Sequence, residues 1–170
     1  KIWRIVQDAL PRDRYASVAL NNRGAAGSDS PAGEENYGVG VFAQDAFELV
    51  SQLGWRRFTL VGHSLGGLTA AKFSVDHPEL LNGLILVDPI DPDGRPMPAG
   101  MGFETLFAAR MTTWGEQLAR ADVGDDVDPS ILASWRDAID GLIEDMRRTP
   151  PDRLRASLRS MLDKRLGSRL

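Results

Sequence analysis

Apolar positions change their period several times along this 170-residue chain, and each change marks an expected element. Ile2, Ile5, Val6, Ala9 and Leu10 recur at helical spacing and Pro11 stops them, which predicts a helix over 1–10. Residues 15–20 are a short apolar run between charged residues and Asn21-Asn22, a pattern of strand type. Residues 21–29 read as a loop and 31–39 as turn-rich. A helix is expected over 40–53, with Val41, Phe42, Phe47, Leu49, Val50 and Leu53 on its buried side and Gly54 at its C-terminal cap. Then come an apolar strand at 58–61, a helix at 65–75 with small residues Gly67, Ala70 and Ala71, and a second strand at 84–87 closed by Asp88-Pro89. Continuous apolar strands alternating with helices predict a parallel sheet covered on both faces, hence an α/β fold.

Beyond Asp91 the pattern loses its strands. Pro92, Gly94, Pro96, Pro98, Gly100 and Gly102 make a linker. Helices are expected over 103–120, 130–148 and 154–166, the second opened by Asp128 as N-cap and Pro129 at the first helical position. The apolar stripe Met101, Phe103, Phe107, Met111 and Trp114 reads equally as helix core or as lining for a pocket.

The stretch richest in chemistry is Phe58–Gly67, where an apolar run meets Gly62-His63-Ser64-Leu65-Gly66 ahead of a helix. This is the G-x-S-x-G nucleophile elbow in its strand–turn–helix setting. Such a turn puts Ser64 in a sparsely populated backbone conformation, and side chains at positions 62 and 66 are expected to collide with neighbouring backbone. Ser64 would stand clear of the sheet at the start of a helix, where free N–H groups and the helix dipole favour a developing negative charge. The backbone N–H of Leu65 is the natural first oxyanion donor.

Composition narrows the field. The net charge is −4 with both signs interspersed, which gives no reason to expect a nucleic-acid or membrane surface. With no cysteine there is no disulfide, thiolate nucleophile or thiolate metal site. No apolar run is long enough to span a membrane, and a cytoplasmic location is expected. The acidic run 122–128 lacks calcium-loop spacing and reads as a solvated loop. Of two histidines, His63 lies inside the elbow and His77 at the far end of the following helix, about 20 Å away at 1.5 Å per residue; neither suits the role of catalytic base.

The elbow with its flanking strand and helix resembles the α/β-hydrolase superfamily. The loop at 21–29 is similar to that family's D-x-R-G-x-G-x-S loop: Arg23 and Gly24 match, while Asn21 replaces the usual Asp. Arg23 is expected to anchor the loop and not to touch substrate. The resemblance implies a parallel sheet core covered by helices in residues 1–90 and an all-helical lid in 91–170 that roofs the serine. It implies Ser64 as nucleophile and Leu65 as oxyanion donor. Asp88 follows the strand where some members place the acid and where most carry a structural Asp; the structural role is preferred. The family's base, its usual acid and its H-G loop have no counterpart in 1–170, so the chain reads as the middle of a hydrolase. Missing strands are expected from chain outside 1–170 or from a second polypeptide. The family's third strand should separate 15–20 from 58–61, and 58–61 should pair directly with 84–87. Ser64 excludes the branches with an Asp nucleophile, the dehalogenases and soluble epoxide hydrolases. The expected function is hydrolysis of a small apolar acyl substrate, a carboxylic ester or lactone, through an acyl-Ser64 intermediate and without metal or cofactor. C–C bond hydrolase, acyltransferase and cofactor-free haloperoxidase chemistry stay open, as does a catalytically incomplete binding protein.

Overall fold

Parallel strands cannot be joined by a tight turn, so the chain between them must cross over as a helix. The computed structural model, which describes residues 2–109, 140–141, 144–145 and 147–162, shows this arrangement. Strand β1 (Phe58–His63) leads through the elbow into a helix (Leu65–Asp76), and the chain returns as β2 (Leu81–Val87), parallel to β1. Leu60 pairs with Leu84, Val61 with Ile85 and His63 with Val87. Both strands are longer than the apolar runs alone suggest, because Gly62, His63 and residues 81–83 also join the ladder.

With α1 (Ile2–Ala9) and α2 (Val39–Gln52) ahead of β1, the crossover helix is α3. Helix α2 begins just after Gly38 and closes as expected on glycine. Gly54 has φ 67°, its N–H bonds to the Ser51 carbonyl, and the Trp55 N–H reaches the Val50 carbonyl. Helices α2 and α3 cover one face of the sheet. Ala43, Val50 and Phe73 are buried there against Phe58, Leu60 and Leu81. Burying a side chain such as Phe73 stabilises by about 2–3 kcal/mol. Gly67, Ala70 and Ala71 are buried, their small size letting α3 lie close to the strands.

The opposite face is open among the described residues. Alternation along β1 turns Thr59, Val61 and His63 outward, and their partners Ile85 and Val87 are exposed too, Ile85 by 51%. The apolar stripe of α1 is likewise uncovered, with Ile5 exposed by 61%.

Residues 15–20 do not form the expected strand. They join no ladder, and Tyr15, Val18 and Leu20 are exposed. The segment lies beside α1, where the Gln7 side-chain amide donates to the Ser17 carbonyl and hydroxyl at 3.4 and 3.3 Å. An apolar run becomes a strand only when a neighbour takes up its backbone groups. The described sheet consists of β1 and β2 alone, paired directly and in parallel as expected, and 15–20 takes no place in it.

After β2 the linker turns at Gly94 and Gly100, both at positive φ. Residues 103–109 are helical, as are the described residues of 140–148. The remainder of the helices expected over 103–120 and 130–148 lies outside the described residues, with Met111, Trp114, the Asp128-Pro129 cap, the run 122–128 and the end of the helix expected over 154–166. That last helix, α4 (Pro151–Leu162), starts at Pro151 and not at 154. Proline is favoured at a first helical position, where its missing N–H costs nothing.

Helix α4 is docked onto core loops by polar contacts. The Gly33 N–H donates to the Asp152 carboxylate at 2.8 Å, the Val39 N–H to the Ser160 hydroxyl at 3.2 Å, and Arg159 to Glu34 at 2.8 Å. The Arg153 guanidinium lies 5.6 Å from the centre of the Phe42 ring. These contacts hold α4 beside the elbow.

Candidate active site

Ser64 caps the N-terminus of α3 with φ 52° and ψ −120°, a conformation L-residues rarely adopt. Strain of this kind, of order 1–3 kcal/mol, persists only where the surroundings over-determine it. Here four backbone bonds do so. The Ser64 N–H donates to the Val87 carbonyl at 3.1 Å, and the Ser64 carbonyl accepts from Gly67, Leu68 and Ile90 at 2.9, 3.2 and 3.2 Å. The end of β2 and the chain just beyond it therefore clamp the turn from both sides.

Glycine is required at two points of this turn, and only one was expected. A methyl group at Gly62 would lie 2.7 and 2.8 Å from the Gly66 carbonyl carbon and the Gly67 Cα. At Gly66, where a collision was also expected, nothing lies within 4 Å. The second crowded position is Gly67, whose methyl would meet Pro89 Cβ at 2.7 Å. Close approach is needed where the chain folds back on itself and where the Asp88-Pro89 turn rests on α3. The outer glycine of the motif faces open space.

Leu65 is the first residue of α3, so its N–H has no acceptor within the helix. Its side chain packs against the buried cluster of Tyr37, Phe42 and Ala156. Tyr37 donates its hydroxyl to the Pro31 carbonyl at 2.6 Å, and burial raises its phenol above the ordinary value. Asp88 is exposed at φ 42°, a left-handed position that Asp tolerates better than most residues. It directs the chain so that Pro89 meets α3 and the Ile90 N–H reaches Ser64.

Above Ser64 lies a cavity of about 330 Å³, within the range of small-ligand sites. Ser64 and Ile90 line it from below; Leu106 of the helical residues 103–109 and Leu154, Leu158 and Met161 of α4 line it on the other side. Arg95 and the buried Ser157 are its further polar residues. The sequence pattern did not single out Ile90, Arg95 or Ser157. The spacing of Leu154, Ser157, Leu158 and Met161 on one helical stripe held the signal for α4.

Neither histidine lines this cavity. His63 is exposed on the open face of the sheet. His77 stacks on Phe47 at 4.1 Å and lies 5.2 Å from Phe73, filling space at the exit of α3. Asp88 does not line the cavity either. Among the described residues no cluster of three or more His, Asp or Glu side chains is placed to hold a metal. Arg23 binds Asp45 of α2 through both its Nε, at 2.8 Å, and a terminal nitrogen, and reaches the Asn36 carbonyl at 3.4 Å. Its guanidinium anchors the loop, as expected, and the Asp45 hydrogen bond raises its pKa.

The family described as alpha/beta hydrolase fold matches residues 1–165. The chain belongs to the α/β-hydrolase family. Among similar proteins of known name, epoxide hydrolase 3 of Xenopus tropicalis is 37% identical over 86 residues, covering 51% of this chain and 23% of that protein. Fluoroacetate dehalogenase of a Burkholderia species is 37% identical over 90 residues, 51% of this chain and 29% of that protein. The matched stretch is thus about a quarter of these relatives' own length. Among solved structures, an esterase from Exiguobacterium antarcticum superposes with a TM-score of 0.61 at 23% identity, covering 87% of this chain and 56% of that one. A Bacillus megaterium epoxide hydrolase does so with a TM-score of 0.62 at 21% identity, covering 97% and 65%. At these identities the structural likeness shows the fold. In this α/β-hydrolase no helix among the described residues is long and apolar enough to cross a membrane.

Proposed function

We propose that the protein is a serine hydrolase acting on a carboxylic ester, lactone or related acyl substrate. The observation that carries this is Ser64 held in a strained turn at the head of α3 beneath a mainly apolar cavity. The Ser64 hydroxyl attacks the acyl carbon and loses its proton to a base, the oxyanion takes the Leu65 N–H, and the alcohol leaves with a proton. Water then attacks the acyl-serine, releasing the acid and restoring Ser64. Neither described histidine is placed to serve as base, so the base and the second oxyanion donor come from residues beyond those described. Residues 91–170 act as the lid, with α4 roofing the cavity above the serine among the described residues.

Two relatives bear the names epoxide hydrolase and dehalogenase. Opening an epoxide or displacing a halide through a carboxylate nucleophile needs Asp or Glu at the elbow, and this chain has Ser64. A serine at that point suits acyl transfer. The test is steady-state turnover of a short p-nitrophenyl ester by the full-length protein and its Ser64→Ala variant. A loss of several orders of magnitude in kcat with an unchanged melting temperature is expected. Equal turnover by the two would take Ser64 out of the chemistry, and none by the wild type would favour a binding protein that retains the fold without the chemistry.

A further inference from the structure

Among the described residues that line the cavity above Ser64, one is charged. Ile90, Leu106, Leu154, Leu158 and Met161 make the cavity apolar, but Arg95 lines it as well. The Arg95 N–H donates to the Met161 carbonyl at 3.0 Å, which fixes its backbone to α4 at the cavity wall. The side chain is exposed and forms no ion pair among the described residues, although Asp91 and Asp93 belong to the same linker. Of the other arginines of α4, Arg155 pairs with Glu104 and Arg159 with Glu34, while Arg153 lies over the Phe42 ring with its buried Nε unpartnered among the described residues. Arg95 is thus the charged residue among the described residues lining the cavity, exposed and without an ion pair among them. A guanidinium presents a planar fork that suits a carboxylate.

We infer that the substrate carries a carboxylate at the end of an apolar acyl chain, as in a monoester of a dicarboxylic acid, and that Arg95 selects for it. This rests on the reading of the cavity as the acyl site of a serine hydrolase. The apolar wall takes the methylene chain, Ser64 meets the ester carbonyl, and the terminal carboxylate reaches Arg95. Because Arg95 is exposed, water screens the pair, and the gain is a few-fold, up to about fivefold.

The full-length protein is assayed with p-nitrophenyl hydrogen glutarate and with p-nitrophenyl pentanoate, esters of similar length that differ in the terminal charge. The ratio of their kcat/KM values is expected to favour the glutarate, to fall a few-fold, by up to about fivefold, in Arg95→Gln through KM, and to be only partly kept in Arg95→Lys, which retains the charge and not the fork. Separately, monoethyl glutarate binding to Ser64→Ala is followed by calorimetry, with and without Arg95→Gln. An unchanged ratio, or equal loss on both esters, overturns the inference. If neither ester is cleaved while the glutarate monoester still binds in an Arg95-dependent way, the anion site stands and the hydrolase reading falls. Absence of Arg95-dependent binding in that case overturns the anion site too.

Discussion

The two glycines flanking Ser64 in the motif differ in what a single methyl group would meet. Gly62→Ala puts Cβ into the backbone of residues 66–67, whereas Gly66→Ala enters open space on a helix. We expect Gly62→Ala to cost about 3 kcal/mol, and Gly66→Ala to be neutral or to stabilise by up to about 1 kcal/mol through helix propensity. Urea denaturation of the full-length variants measures both. The motif alone could not separate them, because it records which residue type is present and not which direction its Cβ faces. Tyr37 gives a residue-scale pH effect. Its folded phenol pKa is raised, so its contribution is present below the unfolded value of about 10 and is lost as pH rises through the folded value. Melting temperature should therefore fall more steeply on the alkaline side in the wild type than in Tyr37→Phe. Equal alkaline slopes would show that the buried phenol is not the group responsible.

Among the elements, those stabilised by short-range packing were legible and those needing a distant partner were not. Helices α2 and α3 fall within a residue or so of their expected bounds, because their caps, Gly54 and the elbow, are local. Residues 15–20 look like a strand by composition, yet strand pairing is decided by a neighbour that the run itself does not specify. The family resemblance implied a helical roof over the serine, but the contacts that dock α4 there were not legible in the sequence. Its placement depends on Asp152 and Ser160 meeting the N–H groups of Gly33 and Val39, more than 110 residues earlier in the chain. Asp152→Ala and Ser160→Ala each leave a part-buried donor without its acceptor, at a cost of about 1 kcal/mol. Hydrogen exchange in α4 should quicken in either variant before the exchange of α3 changes. Uniform acceleration across both helices would mean that α4 is not a separately docked element.

At the scale of the whole molecule, the open apolar face of the sheet and the uncovered stripe of α1 are the largest departure from an α/β layer covered on both sides. Val61, Ile85, Leu86, Val87, Ile5 and Val6 are all exposed large apolar residues. We propose that further strands or helices from outside the described residues, or from a second polypeptide, cover them. Residues 1–170 expressed alone should bind a hydrophobic dye strongly and self-associate, and the full-length protein should do neither. A dye-silent, monomeric 170-residue fragment would show that this face needs no cover. The central claim lies at Ser64, and the most direct measurement is labelling by a fluorophosphonate followed by peptide mass spectrometry on the full-length protein. The account predicts one adduct, on Ser64, abolished in Ser64→Ala while Asp88→Asn still labels. A protein that is folded and unlabelled at Ser64, or labelled only at another serine, would contradict it.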